Sequence, residues 1–71
     1  MQTFKLREKD EYMTLGQLLK AAGFADNGVM AKEMILDGRA LVNGEEELRR
    51  GRKLYPGDVV KVDGTEIQLV R

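Results

Sequence analysis

The chain predicts an α+β fold of two short helices followed by a small antiparallel sheet. Apolar residues recur at helical spacing from Leu15 to Ala22 and again from Ala31 to Ile35. Short β-rich runs follow, Leu41-Val42, Val59 to Val62 and Ile67 to Leu69. The turn dipeptides Asn43-Gly44, Pro56-Gly57 and Asp63-Gly64 separate them. Helices gathered before strands, rather than alternating with them, point to α+β rather than a doubly wound sheet.

Taken in order, Thr3 to Arg7 alternates polar and apolar residues, which sets Phe4 and Leu6 on one face of a flanking strand or extended arm. Glu8, Lys9, Asp10 and Glu11 are all charged and should be solvated. Thr14-Leu-Gly-Gln17 fits a capping box, in which hydroxyl and amide each satisfy a free backbone N–H of the first helical turn. Leu15, Leu18, Leu19 and Ala22 then form one apolar face, ending at Gly23. A second helix should open at Asp26 or Asn27 and run to Asp37, with Ala31, Met34 and Ile35 inward. Gly38 follows, where a missing Cβ permits a left-handed C-terminal turn.

Asn43-Gly44 suits a type I′ hairpin, whose two central residues both need positive φ. Pro56-Gly57 suits a type II turn. Val59, Val60 and Val62 make the next strand, Asp63-Gly64 turns the chain, and Ile67 and Leu69 face inward on the last strand with Glu66 and Gln68 outward. Met13, Met30 and Met34 are expected to fill the core.

Residues 1–71 read as a single domain, since no repeat, low-complexity stretch or linker divides them. Cysteine, histidine, serine and tryptophan are all absent, so every familiar nucleophile–base pair lacks a member. No enzyme activity, metal or cofactor is expected. The N-terminal stretch has scattered charge and no apolar run long enough for a signal peptide or membrane span, so a cytoplasmic, soluble protein is expected.

Twelve Lys and Arg balance twelve Asp and Glu, so attraction to a polyanion must come from the distribution of charge. That distribution is uneven. Residues 45–58, EEELRRGRKLYPGD, carry three acids followed by Arg49, Arg50, Arg52 and Lys53 within five positions. Read alone, such a run is more often a solvated loop whose arginines bridge the glutamates, each exposed pair contributing about 0–1 kcal/mol.

From Thr14 to Val62 the chain resembles the RNA-binding domain shared by small-subunit ribosomal protein four, some pseudouridine synthases and tyrosyl-tRNA synthetases, the S-four domain. The resemblance rests on Leu15 and Leu19, Ala31-Lys32 and Ile35, Gly38, Val42-Asn43-Gly44, and Gly57-Asp58 followed by Val60 and Val62. "AKEMILDGRALVNGE" followed by "RRGRKLYPGDVV" is specific in combination, and it looks most like the small stand-alone members of the YaaA type. The likeness implies an alpha-L RNA-binding motif as the core, 14–62, with flanking N- and C-terminal strands. It implies binding to structured ribosomal or transfer RNA through phosphate and shape, association with the ribosome, and a monomer.

Two departures accompany it. Many family members open the first helix with Arg-Leu-Asp and the second with Ser-Arg, where this chain has Thr14-Leu15-Gly16 and Asn27-Gly28. Each loss removes an arginine able to grip a phosphate bidentately. Backbone amides at the Asn27-Gly28 helix start are the candidate replacement.

The resulting expectation is one positive surface, formed if residues 49–53 lie beside the amino end of the second helix. Arg49, Arg50, Arg52 and Lys53 would join Lys32, Lys20 and Arg39 there, with Asn27 and Gly28 at the helix start and Asn43 in the adjoining hairpin. Screening limits each charge to about 8 Å at physiological salt, so zero net charge does not oppose binding there. Glu45, Glu46 and Glu47 would then have to turn away, because pairing with the cations would cancel the patch. Changing Arg49, Arg50 and Arg52 together to alanine is expected to leave folding intact while weakening RNA binding.

Lys32, at the margin of the buried face, either snorkels over the core or reaches RNA. Asn43 has a sufficient role as a turn residue. Tyr55 is either a stacking face for an unpaired base or a packing residue over the sheet. With only Phe4, Phe24, Tyr12 and Tyr55 as aromatics, no stacking platform is predicted. The competing function is a protein-interaction module that docks the same surface on an acidic or ribosome-associated partner.

Overall fold

The computed structural model describes all residues, 1–71. The elements are β1 (Gln2–Lys5), β2 (Met13–Thr14), α1 (Leu15–Ala21), α2 (Gly28–Leu36), β3 (Ala40–Val42), β4 (Glu45–Glu46), β5 (Lys53–Leu54), β6 (Val59–Val62) and β7 (Thr65–Val70). The α+β reading holds, with two helices packed on a five-stranded sheet of order β1-β7-β6-β3-β4.

Both helices begin where their caps dictate. Thr14 and Gln17 form the reciprocal capping box at α1. At α2 the Asn27 side chain accepts the Met30 amide at 2.8 Å, so Asn27 rather than Asp26 is the cap. α2 ends at Asp37, and the chain turns through Gly38 at φ +77°. A Cβ there would also meet the carboxylate of Glu46 at 2.6 Å. Asn43 and Gly44 both hold positive φ, 52° and 85°, as the type I′ hairpin requires.

The sheet differs from expectation at its edge: β1 runs parallel to β7, with Phe4 beside Leu69, so the sheet is mixed. The reason is topological. β1 reaches the sheet before both helices and lies against a strand formed after them, and its direction is set by the return path rather than by a hairpin.

One apolar cluster holds the molecule together. Leu15, Leu18 and Leu19 from α1 and Ala31, Met34 and Ile35 from α2 pack on Ala40, Val42, Val60, Val62 and Leu69 of the sheet, with Leu6, Ala25 and Leu54 closing the rim. Met34 is core, as expected, and Met13 is half-buried against the cluster. Met30 is a correction: it is exposed, because α2 directs only the Ala31-Met34-Ile35 stripe inward.

Candidate nucleic-acid interface

The basic segment is not a free loop. β5 pairs antiparallel with β2, setting Leu54 against Met13 and Lys53 against Thr14, and this two-stranded ribbon was not evident from either dipeptide alone. The first amides of α1 complete the clamp: Leu15 N–H donates to the Arg52 carbonyl at 2.9 Å and Gly16 N–H to the Arg50 carbonyl at 3.0 Å. Amides that any helix start leaves unsatisfied thus tether the backbone carrying the arginines.

Glu47 organises the side chains. It is buried, with its side chain only 10% exposed, and it accepts from the Arg49 backbone amide (3.2 Å), from Arg49 Nε and Nη2 (2.9 and 3.1 Å) and from Arg52 Nη1 (2.8 Å). The hydrogen bonds from Arg49, then Arg52, hold its carboxyl down at about 2, well below the usual carboxylate range. The same bond raises the pKa of Arg49.

The requirement that all three glutamates turn away is therefore corrected. Glu47 pairs, because its position one residue beyond β4 turns it back beneath the loop. Glu45 and Glu46 remain exposed on the edge strand, with no ion pair. One carboxylate against four cations leaves the loop strongly positive. Arg49, 74% exposed, and Arg52, 35% exposed, keep guanidinium donors that Glu47 does not use.

Arg50 makes no ion pair and faces a cleft of about 270 Å³ between the two helix starts. Lys20, Gly28 and Gly51 also line it, with no carboxylate among the lining residues. Asn27 uses its side chain to cap Met30, and the amides of Gly28 and Val29 have no protein acceptor. Lys32 is exposed and unpaired on the first turns of α2. Lys53 instead places its ammonium 4.9 Å from the centre of the Tyr12 ring.

Two predicted members of the surface do not join it. Arg39 follows the carboxyl end of α2, separated from Gly28 by a nine-residue helix, a length of about 13 Å. Its guanidinium is engaged with Asp63, which raises its pKa and lowers that of the aspartate. Asn43 is a structural bolt: its amide donates to Asp58 at 3.1 Å and accepts from the Val59 amide at 2.9 Å, using both ends of the side chain.

The S4 domain family model matches residues 4–70. The chain belongs to the S4 domain family. Among its relatives, a Bacillus subtilis protein named "Probable ribosome maturation protein RlbA" is 52% identical over 54 residues, 76% of each chain. YbcJ of Escherichia coli is 36% identical over 70 residues, 99% of each chain. The solution structure of YbcJ, described as revealing an alpha-L motif involved in RNA binding, superposes with a TM-score of 0.74 at 34% identity, covering all of this chain and 89% of that one. The small ribosomal subunit protein uS4m of Schizosaccharomyces pombe is 37% identical over 62 residues, 87% of this chain and 18% of that protein.

Within this S4 domain, residue-by-residue reading missed an aromatic pair. One step beyond Met13–Leu54 the β2–β5 register sets Tyr12 opposite Tyr55, and their ring centres lie 5.9 Å apart at 48°. The available signal was weak: Met13-Thr14 and Lys53-Leu54 are too short to announce themselves as strands. The N-terminal charged stretch is likewise less free than expected. Arg71 donates to the carbonyls of Glu8 and Asp10, and Asp10 pairs with Arg7 at 2.9 Å.

Proposed function

We propose that this S4 domain binds structured RNA mainly through phosphate and shape, with Arg50 and Lys20 lining the acid-free cleft and Lys32, Arg49, Arg52 and Lys53 outside it as the contacting cations. The observation that carries this reading is the arrest of the basic segment. Its carbonyls are held by α1 and two of its guanidinium groups by one buried carboxylate, while Arg50 is left unpaired toward the cleft. Cations fixed before binding lose less conformational freedom when a phosphate arrives. The absence of arginine at Thr14 and Gly28 is met by the loop arginines and by the free amides at the start of α2.

Ribosomal RNA is the finer reading, supported by the names of RlbA and uS4m. The protein then works as a monomer in the cytoplasm without catalysing a reaction. No helix is long and apolar enough to cross a membrane.

Titrating a structured RNA, such as a ribosomal RNA hairpin, by fluorescence anisotropy from 50 to 200 mM salt tests the electrostatic contact. Neutralising ~4–6 phosphates predicts a fall in affinity of roughly 10²- to 10³-fold by counterion release; a flat response rules this surface out. Purification with and without ribonuclease separates RNA from an acidic protein partner, since only an RNA-held complex disappears on nuclease treatment.

A further inference from the structure

A second recess, of about 550 Å³, lies on the outer side of the basic loop and is lined by Arg49, Gly51, Arg52, Lys53 and Tyr55. Its composition is unusual for an RNA-backbone contact alone. Three cations and one aromatic ring line it together, and no carboxylate or aliphatic side chain contributes. Tyr55 is 48% exposed although the core lies directly beneath its neighbour Leu54, which is fully buried. Tyr12 supports it from one side, and Lys53 sits over Tyr12. The Tyr55 backbone is also fixed, its amide donating to Asp58 at 2.8 Å, so the ring projects from a rigid turn.

An aromatic face held next to guanidinium groups matches one chemistry well: a planar base attached to a phosphate. A base stacks on the ring whatever its identity, because every base offers a π face. The adjoining phosphate meets the donors of Arg49 and Arg52 that Glu47 leaves unused. A fully paired duplex offers phosphates but no free base face.

Resting on the RNA-binding reading, the geometry points to this recess as the site for one unpaired nucleotide, its base on Tyr55 and its phosphate on Arg49 and Arg52. The target is then RNA in which a paired stem adjoins an unstacked base, with the stem backbone on the Arg50–Lys20 cleft. Gly51 lines both recesses, so a single strand passing over it reaches from one to the other.

The test uses two RNA hairpins of the same stem, one blunt and one with a short single-stranded extension, each titrated against the whole protein. The extended hairpin should bind roughly tenfold or more tightly. Tyr55→Ala should abolish that ratio while leaving blunt-hairpin affinity unchanged, which also shows that the variant folds. Tyr55→Phe should keep the ratio, because the ring rather than the hydroxyl does the stacking. In a Tyr12→Phe protein, which has no tryptophan, Tyr55 is the sole tyrosine reporter, and its fluorescence should be quenched by the extended hairpin only. Equal binding of both hairpins by the native protein, or a ratio that survives Tyr55→Ala, overturns the inference and leaves RNA binding standing. Failure to bind either hairpin removes both.

Discussion

Two arginine–carboxylate contacts, one just beyond the carboxyl end of α2 and one in the basic loop, look alike and do opposite things. At the carboxyl end, Arg39 meets Asp63 one to one, both groups exposed, and the charges cancel. In the basic loop held by α1, the single Glu47 is shared by Arg49 and Arg52 and is itself buried. An acid matched by one base neutralises it, whereas an acid outnumbered by bases orients them and leaves the region positive. The spacing from Glu47 to Arg52 rather than the number of acids decides which outcome occurs, because only a loop that doubles back brings two guanidinium groups onto one carboxylate.

The largest expected effect separates the unpaired cations from both pairs. A Lys20→Ala, Lys32→Ala, Arg50→Ala variant should lose about 10²-fold or more in RNA affinity, since each charged hydrogen bond to phosphate contributes about 1.5–3 kcal/mol. Its thermal midpoint should stay within a degree or two of the native protein's, because none of the three makes an ion pair. Unchanged affinity would move the contact surface elsewhere. Replacing Arg49, Arg50 and Arg52 together with alanine is a poorer probe, because it would strand Glu47 without its partners and should lower stability as well as affinity.

Glu47→Gln comes next. It keeps the shape but removes the charge that holds the guanidinium groups, and it should lower stability in urea by about 1–3 kcal/mol. Asp63→Asn should cost much less, because solvent screens an exposed pair. Equal losses would mean that Glu47 has no special organising role.

Acid should reproduce this contrast more gradually. The Glu47 carboxyl sits at about 2 in the folded protein, against an ordinary value of 4.5. The unfolded chain therefore takes up its proton first. The stability Glu47 contributes is complete above about pH 4.5 and is lost as pH falls toward 2. Urea midpoints across that window should fall for the native protein and fall less for Glu47→Gln. Asp63→Asn should flatten the same profile least, its aspartate lowered in the same direction by Arg39.

Much of the fold was legible because its signals are local. Thr14 with Gln17, Asn27 with Met30, and Asn43 with Gly44 each act within three residues, so the residues that make the contact also sit together in the sequence. Lys20, Gly28 and Arg50, expected on one positive surface, line one cleft, although α1 rather than α2 is the element that grips the loop. Arg39 and Asn43 were misplaced, since their partners Asp63 and Asp58 lie across hairpins whose register no composition reveals. The same holds for Tyr12 and Tyr55, brought together by a ribbon only two residues long on each side.

The sequence by itself determined where helices start and stop, which turns the chain takes, and that positive charge is gathered into one segment despite zero net charge, because caps, turns and charge runs depend on near neighbours. Only the tertiary structure decided which of those charges are spent and which remain available. Ion pairing falls off over a few ångströms of space, and the distances from Glu47 to Arg52, from Arg39 to Asp63 and from Tyr12 to Tyr55 exist only after the strands have found their register.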